Sequence, residues 1–271
     1  MTSLLYKALG VNEANLALGN EVFQQDGATF IRNTSHPLIH DANHVTRITA
    51  VAPAEIDALL DSVEREYTHC RHRRFDTDAR TPPQFAARLS LDGYTPDHEL
   101  LLLLVGGVIG TPRKHDIRPM ESESDWADFA LLRRMDWEEH SARTGRQADK
   151  EVSDSQTTLR RVKQPPVQYW GAWMDGRPVA YLNSWEGSQG VGQLEDVFTH
   201  PDYRHRGLAT ALIHHGAADA RKKGAGPVAI VADPTDTPKH MYAALGFCPL
   251  AVLTHYFTRQ VTTADSRSAI G

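Results

Sequence analysis

The sequence predicts an α/β protein built as two units in tandem. Three observations carry that expectation. Segments of strand and helix period alternate along most of the chain. A length of 271 residues suits about two domains. The two halves also run through the same coarse order of strand, helix, strand, helix, Gly-aromatic and strand. In that order "LSLDGYTPDHELLLLL" of the first half stands where "YAALGFCPLAVLTHYF" stands in the second.

In the first half, "EVFQQDGATFIRN" reads as a hairpin turning at Asp26-Gly27. "NHVTRITAV" reads as a strand, and "APAEIDALLDSVERE" keeps Ile56, Leu59, Leu60 and Val63 at helical spacing. "THCRHRRFD" is expected as a strand, and "TPPQFAARLSLDGY" as a short helix with proline at its start and Gly93 at its end. Glu99 to Val105 closes the set as a strand. "GGVIGTPRK", Gly106 to Lys114, marks a boundary, so the division expected is 1–113, 114–260 and a flexible tail at 261–271.

The second half opens with a strand at "HDIRPM" and a helix at "SDWADFALLRRMDWEEHSA", with a second helix at "EVSDSQTTLRRVK". "VQYWGAWM" and "RPVAYLNSW" flank Asp175-Gly176, a strong hairpin signal. "VGQLEDVFTH" is a third strand ended by Pro201, and a helix follows from about Gly207 to Lys223, with Gly224 as its stop. "GPVAIVAD" is a strand, "TPKHMYAAL" a short helix and "PLAVLTHYF" a final strand.

Composition excludes several classes. The chain is 41% hydrophobic and 23% charged, ordinary for a globular protein. A net charge of −5 argues against nucleic acid as a partner, since such binders present a basic face. The two cysteines, Cys70 and Cys248, make no disulfide framework and suit a reducing cytoplasm. "MTSLLYKALGVNE" lacks the long apolar core of a signal peptide. The most apolar run, Leu100 to Gly110, is too short to cross a bilayer and reads as a buried strand, so no membrane partner is expected. His69, Cys70 and His72 invite a metal reading, but strand alternation would part His69 from Cys70 and no second cluster supplies ligands; no metal is expected. Tyr169, Trp170, Trp173 and Trp185 are expected in the core.

The chemistry is carried by "HPDYRHRGLATALIHHG". A strand that feeds a helix through glycine leaves several backbone N–H groups unpaired and pointing one way, which is an anion site. Arg204 and Arg206 add full charge where acidic residues would normally stand. The reading is a diphosphate cradle of Arg204, His205, Arg206, Gly207, Leu208, Ala209 and Thr210.

The spacing Arg204-x-x-Gly207-x-Ala209 resembles the coenzyme A motif of the GNAT acetyltransferase superfamily, and "YAALGF", Tyr242 to Phe247, resembles that family's closing helix-Gly-Phe motif. The resemblance spans residues 114–258 and implies two GNAT-like domains in tandem, each a mixed, mostly antiparallel sheet flanked by helices. It implies acetyl-CoA as co-substrate, with backbone N–H groups around Val197, Phe198 and Thr199 holding the acetyl carbonyl and the pantetheine arm. A carboxylate on the strand before the cradle takes the acceptor's proton; "LEDV" offers Glu195 and Asp196, and the resemblance favours Glu195. Tyr242 stands where the family commonly has the tyrosine that protonates the departing thiolate. The first half has "VAPAEIDALL" at the corresponding place, without arginine or glycine, and is expected to be a degenerate GNAT-like half that binds no cofactor.

The expected function is acetyl-CoA-dependent N-acetylation of the primary amine of a small molecule: an amino acid derivative, a polyamine or an aminoglycoside-like compound. Protein N-termini or lysines stay open as acceptors, as does a homodimer. The competing reading is a non-catalytic acyl-CoA-binding sensor. An aminoacyl-tRNA-dependent transferase is disfavoured by the intact cradle and the lack of a basic patch.

Overall fold

The computed structural model describes residues 3–145 and 147–259, so the tail expected at 261–271 lies outside the described residues. The elements are, in chain order, α1 (Leu4–Ala17), β1 (Glu21–Gln25), β2 (Ala28–Arg32), β3 (His44–Thr46), α2 (Pro53–Glu66), β4 (His72–Thr77), α3 (Pro83–Leu91) and β5 (Thr95–Leu104). Then follow β6 (Asp116–Pro119), α4 (Glu123–Arg143), α5 (Lys150–Val162), β7 (Gln168–Met174), β8 (Arg177–Ser188), β9 (Val191–Thr199), α6 (Leu208–Lys222), β10 (Val228–Ala232), α7 (Pro238–Ala244) and β11 (Cys248–Arg259).

The chain forms two compact units. Unit 1 comprises Met1–Gly19 and Leu100–Ala251; unit 2 comprises Asn20–Glu99 and Val252–Gly271. These units do not follow the division at 113/114. Each takes strand residues from the other half of the sequence: Leu100 to Leu104 of β5 pair with β10 in unit 1, and Thr254 to Arg259 of β11 pair with β4 in unit 2. The repeats end in strands that continue past the unit they begin in, which no composition change marks.

Within unit 1 the sheet runs β5, β10, β9, β8, β7, β6, and all neighbours are antiparallel except β10 and β9. Its core packs Leu102, Leu104, Leu182 and Leu194 of the sheet against Leu208, Leu212, Ile213 and Ala217 of α6 and Tyr242, Leu245 and Phe247 of the closing segment. On α4, Trp126, Phe129, Leu132 and Met135 stand at near-helical spacing; the first three are buried, whereas Met135 is exposed. The hairpin turn falls at Asp175 and Gly176, with φ of 52° and 79°, the left-handed pair that a two-residue turn requires.

Unit 2 repeats that order of elements: hairpin β1–β2, short strand β3, helix α2, strand β4 parallel to β3, helix α3, strand β5. Its own core centres on Phe30, Val45, Leu59, Tyr67, Phe75, Phe85 and Leu89. Two expectations are corrected here. "NHVTRITAV" supplies only three strand residues, because the chain turns at Arg47 with φ of 51°. β4 begins at His72 rather than Thr68, since the turn after α2 extends to Cys70.

Helix α1 was not foreseen. Its sequence shows little amphipathic contrast, yet it buries Ala8, Leu9, Gly10 and Val11 in unit 1 and packs on β8 and β9. The contact needs Gly187 on β8: φ there is 72°, and a Cβ would collide with the Val191 carbonyl oxygen and stand 2.6 Å from Val11. Gly187→Ala should therefore lower the unfolding free energy by about 2–4 kcal/mol, read from denaturant melts of the two proteins. An unchanged midpoint would show that β8 and α1 can yield there.

Candidate active site

The site is set by where two parallel strands part. Val228, Ala229 and Ile230 of β10 lie opposite Gly192, Gln193 and Leu194 of β9, and the pairing ends there. β9 runs on to Thr199, still paired on its other side with β8, where Ala180 faces Thr199. Backbone groups of residues 195–199 directed toward β10 thus receive no ladder bonds from it, and are open to a ligand lying between the strands.

A bulge occupies that stretch. Tyr181 faces Phe198 while Asn183 faces Glu195, so β9 spends one more residue than β8 over this interval. At the bulge Asp196 adopts φ of 57°. Its carboxylate accepts bonds from Arg160 of α5 at 2.8 and 2.6 Å and from the Asn183 amide at 2.9 Å. Burial acts to raise this carboxyl, but the Arg160 and Arg133 charges outweigh it and hold its pKa at about 2. Asp196 is therefore a structural anion that anchors the bulge to α5.

Glu195 is half-buried, and its carboxylate accepts from the Gln193 amide at 2.7 Å. Residues 193 and 195 share a strand face. Gln193 is itself buried and donates to Asn12 of α1 at 3.0 Å, so the first helix braces the residue beside the candidate base. Tyr242 of α7 is 5% exposed. Burial raises its phenol well above the ordinary range, and the charges of Glu195, Asp236 and Asp136 add to the rise, which keeps it protonated. The fold has brought Glu195 close enough for its charge to act on Tyr242, although 46 intervening residues separate them in sequence.

The segment after β9 curls as the motif requires. His205 and Gly207 have φ of 60° and 85°, and alternating left-handed residues turn successive N–H groups toward one concave side. The Ala211 N–H bonds to the Gly207 carbonyl at 3.0 Å, and helix geometry leaves those of Leu208, Ala209 and Thr210 without intrahelical partners. Leu208 is buried and anchors the helix start, while Ala209 and Thr210 are half-buried. Of the oxyanion candidates, Phe198 is buried, and Val197 and Thr199 are half-buried.

The arginines are placed differently from what their sequence position suggests. Arg204 donates to both Glu139 oxygens of α4 at 2.8 and 2.5 Å and to the Thr199 carbonyl at 3.1 Å, and lies over the Phe198 ring. Arg206 is exposed, donates to the Asp202 carbonyl at 3.0 Å and lies over Tyr203. Sequence spacing cannot show such partners, because Glu139 lies on a helix 65 residues away.

In unit 2 the corresponding helix start is closed by its own chain. Pro53 has no N–H, and the Val51 and Ala52 N–H groups donate to the Glu55 carboxylate at 2.9 and 3.0 Å. An incoming anion would meet a carboxylate there. His69 and Cys70 lie in the turn before β4, with His69 bonded to Asn43 at 2.8 Å. Among the described residues, no group of His, Cys, Asp and Glu is arranged to hold a metal ion, and no helix is long and apolar enough to cross a membrane. Tyr169, Trp173 and Trp185 are buried, and the half-buried Trp170 donates to Ser184 at 2.9 Å.

Residues 129–247, which lie within unit 1, match the model of the Acetyltransferase (GNAT) family. A search of curated proteins finds no match. Among solved structures, the chain is similar to a GCN5-related N-acetyltransferase from Kribbella flavida, at 19% identity and TM-score 0.69, covering 98% of this chain and 99% of that one. It is similar to a protein of unknown function from Staphylococcus epidermidis, at 14% identity and TM-score 0.63, covering 90% and 96%. A tandem GNAT protein from the clavulanic acid biosynthesis pathway aligns at 14% identity and TM-score 0.57, covering 81% and 76%. At these identities the likeness concerns the fold, and it extends over both units.

The Arg160–Asp196 pair gives a test. Asp196 titrates at about 2 when folded, below its unfolded value of about 3.9. Its stabilising contribution is therefore complete above roughly pH 4 and is lost as pH falls toward 2. Arg160→Met removes the bidentate partner, leaves the Asp196 carboxylate only the Asn183 amide and the Arg133 charge, and should cost about 3–5 kcal/mol at pH 7 in denaturant melts. The deficit relative to wild type should shrink between pH 4 and pH 2; a constant deficit would show that Arg160 acts by packing alone.

Proposed function

We propose that this chain is an acetyl-CoA-dependent N-acetyltransferase whose acceptor is the primary amine of a small molecule. The observation that carries the reading is the parting of β9 from β10 at Leu194, with the bulged residues 195–199 leading directly into the cradle of residues 204–210. One extended ligand arm fits along the open strand edge, and its diphosphate fits at the start of α6.

In this reading the N–H groups at Val197 to Thr199 bind the thioester carbonyl and stabilise the oxyanion that forms when the amine attacks. Glu195 accepts the amine proton, directly or through one water, because Asp196 is committed to Arg160 and Asn183. Tyr242, kept protonated by burial, gives its proton to the departing thiolate. The carboxylates acting on Tyr242 (Glu195, Asp236 and Asp136) make a negative surrounding that favours a cationic acceptor. The Glu55-capped helix of unit 2 supports binding at one site per chain.

Calorimetric titration should find one equivalent of acetyl-CoA per chain. Thiol release from acetyl-CoA over a panel of primary amines should identify the acceptor. On that acceptor Glu195→Gln should lower kcat/KM by about a hundredfold or more, and Tyr242→Phe should lower kcat by about tenfold to a hundredfold. Binding with full affinity but no thiol release with any amine would favour the non-catalytic acyl-CoA sensor instead.

A further inference from the structure

The cradle keeps the charge of the exposed Arg206 once Arg204 is spent on Glu139. Arg204 is held by Glu139 and the Thr199 carbonyl, and Arg206 turns back to the Asp202 carbonyl. Another cation stands at the same place. The segment between β5 and β6, read from sequence as a boundary, is tied down along unit 1. The Arg221 guanidinium of α6 donates to the Gly106 carbonyl at 2.5 Å, and the Ile109 N–H donates to the Leu245 carbonyl at 2.9 Å. Ile109 also packs on Gly246, where a Cβ would lie 3.1 Å from it.

That anchoring carries residues 113–115 over the start of α6. A Cβ at Gly207 would stand 3.5 and 3.7 Å from Cδ and Cγ of Arg113 and 3.8 Å from Nε2 of His115. The Arg113 stem therefore rests against the glycine that opens the cradle, and the side chain is exposed. Among the described residues no carboxylate pairs with its guanidinium. His115 Nε2 is sealed from solvent and has no hydrogen-bond partner among them. A buried polar nitrogen without a partner is costly, and an anion beside Gly207 would supply the partner.

We propose that Arg113 and His115, held over Gly207, supply the side-chain contacts to the diphosphate of the acyl donor. This rests on the acetyl-CoA reading above and adds to it where the charge comes from. Backbone N–H groups at the helix start orient the diphosphate; the Arg113 fork neutralises it, and His115 adds one hydrogen bond. The phosphate-binding charge is then contributed from outside the Arg-x-x-Gly-x-Ala motif, and Arg204 serves to brace the loop against α4.

The test is calorimetric titration of the full chain with coenzyme A and with dephospho-coenzyme A, which keeps the diphosphate but lacks the ribose phosphate. Arg113→Ala should weaken both ligands alike, by about tenfold to a hundredfold, with Arg113→Lys recovering part of the loss. His115→Leu should weaken both by a smaller factor. Lys114→Ala, which removes the same charge one residue away, should change either affinity by less than about threefold. Melting temperatures of the variants check that each is folded. A loss confined to coenzyme A would place Arg113 on the ribose phosphate and overturn the assignment. Equal losses for Arg113→Ala and Lys114→Ala would overturn it in favour of a general field, and no loss would overturn it outright. Wild-type protein that binds neither ligand would remove the acetyl-CoA reading itself, an outcome distinct from failure of the Arg113 variant alone.

Discussion

The structure of unit 1 depends on β9 staying paired on one side while it loses its partner on the other. Parallel strands normally pair along their shared length, because an unpaired buried amide is costly. Here the parting is made tolerable by the bulge at Asp196, which turns the strand, and by the bonds that Asp196 draws from α5 and β8. A buried carboxylate with a left-handed backbone is locally unfavourable in both respects. Its retention at the mouth of the gap is intelligible if the open strand edge is what the fold must present. The amide of Asn183 and the guanidinium of Arg160 around it therefore support the bulged backbone.

Charge is distributed around this gap by role. Arg160 and Arg133 act inward on Asp196, and Arg204 ties the loop to Glu139. Burial holds Tyr242 neutral, and the charges of Glu195, Asp236 and Asp136 act in the same direction.

Unit 2 shows what the same order of elements becomes without that division. It keeps the hairpin, the parallel pair β3–β4 and both helices, and it has a core of its own. At the start of α2, however, a proline and the Glu55 carboxylate take the place of an open glycine-led turn. The backbone donors left without intrahelical partners at the start of α6 have their counterparts at α2 in Val51 and Ala52, which are spent on the Glu55 cap. Exchange of strand residues through β5 and β11 means that each unit is completed by the other half of the sequence, so unit 2 contributes to the fold whether or not it binds anything.

Local chemistry made much of this legible from residues alone. Asp-Gly pairs placed both hairpin turns, apolar spacing placed α2 and α4, and glycine followed by an alanine-rich run placed α6 and its cradle. These signals work because each reports a backbone preference that neighbours in sequence can satisfy. Glu195 was separable from Asp196 only by resemblance, since alternation says that two adjacent side chains diverge without saying which meets solvent, ligand or a cation. What the sequence could not disclose were partners distant along the chain: Glu139 for Arg204, Arg160 for Asp196, Asn12 behind Gln193, and Arg113 and His115 over Gly207. Helix α1 escaped notice because its burial comes from contact with β8 and β9 rather than from an amphipathic pattern of its own. The division into units was displaced for the same reason. Strand pairing is settled by which edge is open when the chain collapses, and an edge belongs to the tertiary structure.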